Sequence, residues 1–217
     1  MKILSTKILS DYYKKPLIEA GFEYFEDDFI NTKIKSFDLK NINESLIFSS
    51  QNAVESVLQH PELDKLKTKK VYCVGSKTKK LLTDNGFQVE AHTGYAADLA
   101  EIIALIYNNE SYTFFCGNKR RDVLPETLKE AGITFNEIEV YETVLNPHKT
   151  NNSMDAILFF SPSAVESYLT NNKLKDEFCF CIGETTASAL ENETQNLIIA
   201  EQPTIEDVIE AVIEEYK

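Results

Sequence analysis

Short apolar runs recur along the chain, and each is followed by a stretch whose apolar positions have helical spacing. That alternation predicts α/β architecture with a parallel sheet. Strands are expected near 2–5, 22–26, 45–49, 70–74 and 87–90, with a helix near 96–108. The pattern then repeats, with strands near 112–116, 133–137, 155–160, 178–182 and 196–199 and a last helix near 204–216.

The two halves also share wording. IFSSQNAVESVL at 47–58 is nearly respelled as FFSPSAVESYL at 159–169, placing Ser50 on Ser161 and Ala53 on Ala164. The same offset sets AGFEYFEDDFINT, 20–32, against AGITFNEIEVYET, 131–143, with Leu17 on Leu128 and Asp11 on Asp122. Downstream, after a small slip, VYCVGSKTKKLL at 71–82 faces FCFCIGETTASAL at 178–190, with Gly75 on Gly183 and Thr78 on Thr186. The helices DLAEIIALIY, 98–107, and DVIEAVIEEY, 207–216, also correspond. The chain thus reads as two copies of a unit of roughly 110 residues, a typical domain size, and predicts two similar doubly wound parallel-sheet domains.

Where the domains divide is open to two readings. A cut near 111 is the simpler. In the other, FINTKIKSF at 29–37 and VYETVLNP at 140–147, which occupy equivalent places in the copies, pair as a two-stranded β-ladder. The chain would then cross twice, with its middle forming one domain and its two ends the other.

Composition narrows the function. At 43% hydrophobic and 26% charged residues the chain is of ordinary globular type. No apolar run approaches the ~20 residues of a membrane span, and no secretory leader is read at the start, so the expected location is the cytoplasm. A formal charge of −13 argues against nucleic acid as a partner. The four cysteines, Cys73, Cys116, Cys179 and Cys181, lie in strand-like runs without metal or redox spacing, and the histidines are scattered singly. No metal site is expected.

In open α/β sheets ligands gather at the carboxyl ends of the strands. Here those ends read Ser5-Thr6-Lys7, Ser49-Ser50-Gln51-Asn52, Gly75-Ser76-Lys77-Thr78, Cys116-Gly117-Asn118-Lys119, Ser161-Pro162-Ser163 and Gly183-Glu184-Thr185-Thr186. Several open helices, whose free N–H groups suit anions. Each also reads as plain helix capping, with Ser163-x-x-Glu166 as a capping box. There is no G-x-G-x-x-G, no phosphate-binding loop and no G-x-S-x-G elbow. Lys119-Arg120-Arg121 is a basic run in an acidic chain, and Arg offers carboxylates a bidentate fork. Tyr141 stands in the second connector, where the first copy has Ile30.

The segment CGNKRRDVLPETLKEAGITFNEIEVYETVLNP, 116–147, resembles the corresponding stretch of uroporphyrinogen-III synthases, as do FFSPSAVESYL, CIGETTASAL at 181–190, SSQNAVESV at 49–57 and VYCVGSKT at 71–78. The resemblance spans the chain and is thinnest over 33–44 and 87–110. It implies two α/β domains joined by a β-ladder, which selects the double crossing, with 36–143 as the central domain and 1–35 plus 144–217 as the terminal one. It implies a linear tetrapyrrole substrate, hydroxymethylbilane, closed with inversion of the last ring and loss of water, without a cofactor. The sequence carries no clear oligomer signal, and a monomer is expected. The resemblance points to Tyr141 as proton donor. By the same resemblance Ser50, Thr78, Ser161, Ser163, Thr185 and Thr186 line a cleft. With these we place Lys7, Gln51, Asn52, Asn118, Lys119, Arg120, Pro162 and Gly183 as substrate contacts. Asn52 stands where some relatives carry Arg, and Lys7 where Arg is common, so one charge and one fork are lost.

Overall fold

The computed structural model describes residues 1–150 and 153–217. Its first strands are β1 (Lys2–Ser5), β2 (Glu23–Glu26) and β3 (Ile30–Ile34), with α1 (Asp11–Glu19) between β1 and β2. Then follow β4 (Ser45–Phe48), α2 (Gln51–Leu58), β5 (Lys70–Val74), α3 (Ser76–Asp84), β6 (Gln88–Thr93) and α4 (Ala96–Ile106). The rest is β7 (Tyr112–Gly117), α5 (Val123–Glu130), β8 (Phe135–Leu145), β9 (Ala156–Phe159), α6 (Pro162–Asn171), β10 (Phe178–Cys181), α7 (Glu184–Ser188), β11 (Leu197–Ile199) and α8 (Ile205–Tyr216).

Two compact units result: residues 1–31 with 144–217, and residues 32–143. The chain passes from one to the other within β3 and again within β8. The terminal unit holds a sheet of order β11-β10-β9-β1-β2, the central unit one of order β3-β8-β7-β4-β5-β6. The β1–β2, β1–β9, β9–β10 and β10–β11 pairs are parallel, as are β4–β5, β4–β7, β5–β6 and β7–β8. This is the α/β, parallel-sheet architecture expected.

Each sheet joins the front of one sequence copy to the back of the other. Replacing β1 and β2 by their repeat partners β7 and β8, and β9, β10 and β11 by β4, β5 and β6, converts one order into the other apart from the added edge strand β3. The joint in the central unit is packed by Phe48 of β4 against Phe115 of β7, stacked with centroids 5.2 Å apart. In both sheets the strand order reverses at the joint, between β1 and β9 and between β7 and β4, and a reversal of that kind opens a crevice at the carboxyl ends.

Helices cover both faces of each sheet, so the central strands are largely apolar, as strands of a covered parallel sheet are. In the terminal unit Ile3, Leu158, Phe180 and Val208 pack on one side and Leu4, Ile157, Phe159 and Val165 on the other. In the central unit Leu46, Phe48, Val71 and Phe115 pack on one side, and Ile47, Tyr72, Leu99 and Phe114 on the other. Within the terminal unit Asn146 stitches the two crossings together, its backbone N–H donating to the Phe29 carbonyl at 2.9 Å and its side-chain amide to the Asp28 carbonyl at 2.6 Å.

Two local expectations change. The strand expected at 133–137 and the connector at 140–147 form one strand, β8, interrupted by a register shift: Cys116 faces Glu139, but Gly117 faces Tyr141. The extra residue, Val140, is fully buried. The cap of α6 is Ser161, whose Oγ accepts from the Ala164 N–H at 3.1 Å, and not Ser163. Pro162 fixes this, because a proline belongs at the first helical position and the cap must precede it.

Candidate functional site

In the central unit the reversal point lies between the ends of β4 and β7. Ser50, extended at φ −150° and ψ 141°, caps α2 and accepts from the Asn52 N–H at 3.1 Å. Gln51 and Asn52 form the first turn beside it, with the Asn52 amide 3.4 Å from Thr32 Oγ1. Across the joint, β7 ends at Gly117 and β8 presents Tyr141. The extra residue in β8 matters here. Ile138, Val140 and Tyr141 all pack against the same core as Phe115. Strict alternation would send Tyr141 to the opposite face from Val140; the bulge turns it back.

Tyr141 therefore leans over the end of the sheet with its hydroxyl at the α2 cap. Burial pushes its phenol above the ordinary tyrosine value, a hydrogen bond with Ser50 opposes that, and the Cys116 thiol adds a small upward push. A phenol so placed stays protonated at neutral pH and can give up a proton to a leaving group. Thr78, also expected to bind substrate, lies one strand away in the first turn of α3 and is buried. It follows Gly75, whose φ of +88° only glycine adopts without strain.

The basic run is more committed than its sequence suggests. The Arg120 guanidinium closes on the Glu137 carboxylate through Nε and through a second bond of 3.1 Å, and also meets Asp122. Asn118 turns its side chain to the backbone of Thr143: its Oδ1 accepts from the Thr143 N–H at 2.8 Å, and its Nδ2 donates to the Thr143 carbonyl at 3.4 Å. Lys119 is exposed.

The terminal unit repeats the arrangement without a tyrosine. Between β1 and β9, Ser161 caps α6, Pro162 and Ser163 open the helix, and Lys7 is exposed beyond β1. Thr6 Oγ1 donates to the Leu158 carbonyl at 2.7 Å, closing the joint. One strand further, Gly183 leads into α7, where Thr185 is exposed and Thr186 buried, the repeat counterparts of the Gly75–Thr78 turn. Within the central unit, then, Tyr141, Ser50, Gln51, Asn52 and Asn118 converge, with Thr78 set aside by a strand. Within the terminal unit Lys7 and the Ser161–Ser163 turn share the reversal point, with Gly183, Thr185 and Thr186 one strand away.

Gly117 was legible only as part of a polar junction. Its meaning comes from register, which sets it directly beneath the Tyr141 ring. The cysteines are buried, and burial pushes their thiols up, to about 11 for Cys73 and about 12 for Cys116, Cys179 and Cys181. That makes them poor nucleophiles. Among the described residues no helix is long and apolar enough to cross a membrane.

Known proteins resemble the chain along most of its length. The family model described as "Uroporphyrinogen-III synthase HemD" matches residues 12–210. A curated uroporphyrinogen-III synthase of Chlorobaculum parvum is 27% identical over 169 residues, covering 67% of this chain and 68% of that protein. Among solved structures, uroporphyrinogen-III synthetase from Helicobacter pylori is similar over 99% of both chains, with TM-score 0.77 and 23% identity. A mutant uroporphyrinogen III synthase from Thermus thermophilus is similar over 100% of both, with TM-score 0.69 and 13% identity. The structural likenesses, at such low identity, speak for the fold. The match of the family model over most of the chain speaks for more: this chain belongs to the uroporphyrinogen-III synthase family, enzymes of haem biosynthesis.

Proposed function

We propose that Tyr141 is the proton donor with which this chain closes hydroxymethylbilane to uroporphyrinogen III. The phenol gives its proton to the terminal hydroxyl, the carbon–oxygen bond breaks, and water leaves a cationic azafulvene. The substituted carbon of ring D attacks it to form a spiro intermediate. The bond from ring D to its neighbouring methylene then breaks and re-forms at the free ring position, inverting the ring. Loss of a ring proton restores the pyrrole, and that proton returns to Tyr141. The sequence is redox-neutral, so no step asks for an electron carrier, and we propose that no metal or organic cofactor takes part.

The rest of the work is positioning of a flexible chain. We assign it to the strand-end junctions of both units. Lys7 and Lys119 offer charge to the substrate carboxylates. The hydroxyls of Ser50, Thr78, Ser161, Ser163, Thr185 and Thr186, the amides of Gln51 and Asn52, and the turns at Pro162 and Gly183 supply polar contacts. Local donors of this kind allow an acidic protein to hold an acidic substrate. Arg120 is better suited to holding Glu137, and its role toward substrate is correspondingly smaller. The two compact units are, in this reading, the family's two domains, and the enzyme works as a cytoplasmic monomer.

The observation that carries the reading is the half-buried Tyr141 phenol at the reversal point of the central sheet, hydrogen-bonded with the α2 cap. The test is isomer analysis after supplying hydroxymethylbilane generated in place. The unaided reaction gives the type I isomer, so dominant type III product supports the assignment. Tyr141→Phe should lower turnover at least roughly 10²-fold, the lower end of what a general acid contributes. Full turnover in the folded variant would remove Tyr141 from the reaction, and type I product alone from the wild-type protein would leave a binder without chemistry.

A further inference from the structure

We infer that Gly117 and Asn118 are positioning residues for Tyr141, forming a mould that holds its phenol at the reaction centre. The inference rests on Tyr141 being the proton donor. It adds a function for Gly117 and exchanges a substrate contact for a positioning role at Asn118.

Three observations meet at one place. First, the Tyr141 ring lies so close over Gly117 that a β-carbon there would overlap its Cζ and stand 2.5 Å from Cε2 and 2.9 Å from Cε1. Among the described residues no other glycine comes under such a contact. Second, the register shift between Cys116 and Gly117 is what brings Tyr141 opposite Gly117 at all. Third, the ladder is pinned just beyond the shift. The Asn118 N–H donates to the Tyr141 carbonyl at 3.3 Å, and the Asn118 side chain takes both backbone groups of Thr143. Asn118 thus holds the strand on the far side of Tyr141, while Val140, fully buried, anchors the near side. The ring is fixed from below by an absent side chain and along the strand by a clamp.

The contact is with a ring at the end of a side chain that can swing, not with rigid backbone. Gly117→Ala is therefore relieved by moving the phenol, by about 1 Å to regain ordinary contact, and a misplacement of that size costs on the order of 10²-fold in rate. Asn118→Ala frees the strand end and should cost roughly tenfold.

The experiment is a pair of double-mutant cycles on the full chain, reading kcat and KM for type III formation, with circular dichroism melts on each variant. The expected result is that Gly117→Ala lowers kcat about 10²-fold with KM changed less than about threefold, yet costs less than about threefold when Tyr141 is already Phe. Asn118→Ala should likewise act on kcat and lose its effect in the Tyr141→Phe background, and Asn118→Asp, which still accepts from the Thr143 N–H, should recover part of the loss. Equal losses with and without the Tyr141 hydroxyl, or a Gly117→Ala enzyme at full rate, would overturn the mould while leaving Tyr141 as the donor. A rise in KM alone for Asn118→Ala would return that residue to the substrate. Full turnover in Tyr141→Phe would remove the donor and the mould together. Should Gly117→Ala fail to fold, the Asn118 cycle decides by the same criteria.

Discussion

The repeat supplies a matched pair of substitutions, Ser50→Ala and Ser161→Ala. Both serines cap a helix at a reversal point, and each accepts one N–H at 3.1 Å. Removing such a cap costs about 1 kcal/mol, which in a protein of this size lowers Tm by roughly 2–4 °C. Ser50→Ala should melt somewhat below Ser161→Ala, because it also loses the hydrogen bond with the Tyr141 phenol, worth about 1 kcal/mol. The two should also differ in chemistry, because Ser50 alone meets the Tyr141 phenol. Burial raises that phenol and the Ser50 hydrogen bond opposes the rise. Without Ser50 the phenol goes higher still. A donor must be protonated to act, so the alkaline limb of the kcat profile for type III formation moves to higher pH in Ser50→Ala and stays in place in Ser161→Ala. The assay is kcat measured across the alkaline range, with melts by circular dichroism. An equal displacement in both variants, or a limb moving to lower pH in Ser50→Ala, would refute the assignment of Ser50 as the group that tunes Tyr141.

Leu17 and Leu128, paired by the repeat and both fully buried, should each cost about 2–5 kcal/mol when cut to Ala, read by urea melts of the two variants. Glu26 is desolvated, which raises its carboxyl, but bonds from Lys14, the Leu9 N–H and Tyr24 outweigh this and hold it below 4.5. Its contribution to stability is thus present above that value and lost as pH falls through the lower native one; Glu26→Gln should flatten that acid-side loss in melts taken from pH 6 downward to about 3. Lys7→Met should raise KM roughly two- to fivefold, the size of an exposed charge contact, with a smaller rise at high salt; an effect unchanged by salt would argue against a carboxylate contact.

The strands were legible because both faces of each sheet are covered, so every central strand is a short apolar run that turn residues bracket. β8 was not read whole, and the reason is chemical. Ile138, Glu139, Val140 and Tyr141 break alternation at Val140, which in sequence looks like the end of one element and the start of another. In the structure the break is the bulge that aims Tyr141. A feature that disturbs the strand pattern is thus the one that shapes the candidate site, and such departures from regular pairing are where functional sites are expected. The double crossing was hidden for a different reason. β1 and β7 offer interchangeable apolar runs, as do β9 and β4, so the pattern allows either to pair with either; only contacts such as Phe48 on Phe115 decide. The basic run misled in the opposite direction. Arg120 and Asn118 carry the donors a carboxylate needs, but Glu137 and the Thr143 backbone, both on β8, lie nearer. Polar residues beside a bulge serve the bulge first: the ladder bonds lost there have to be replaced, and side chains at the adjoining strand end are the ones in reach. In the terminal unit Ile30 stands where the repeat sets Tyr141, and the β1–β2 pairing ends at Ser5, one residue before Thr6, the counterpart of Gly117. β1 and β2 pair in unbroken register from Lys2 with Glu23 to Ser5 with Glu26. The two copies thus share the same caps and threonine turns and differ where one of them bends a strand at Tyr141.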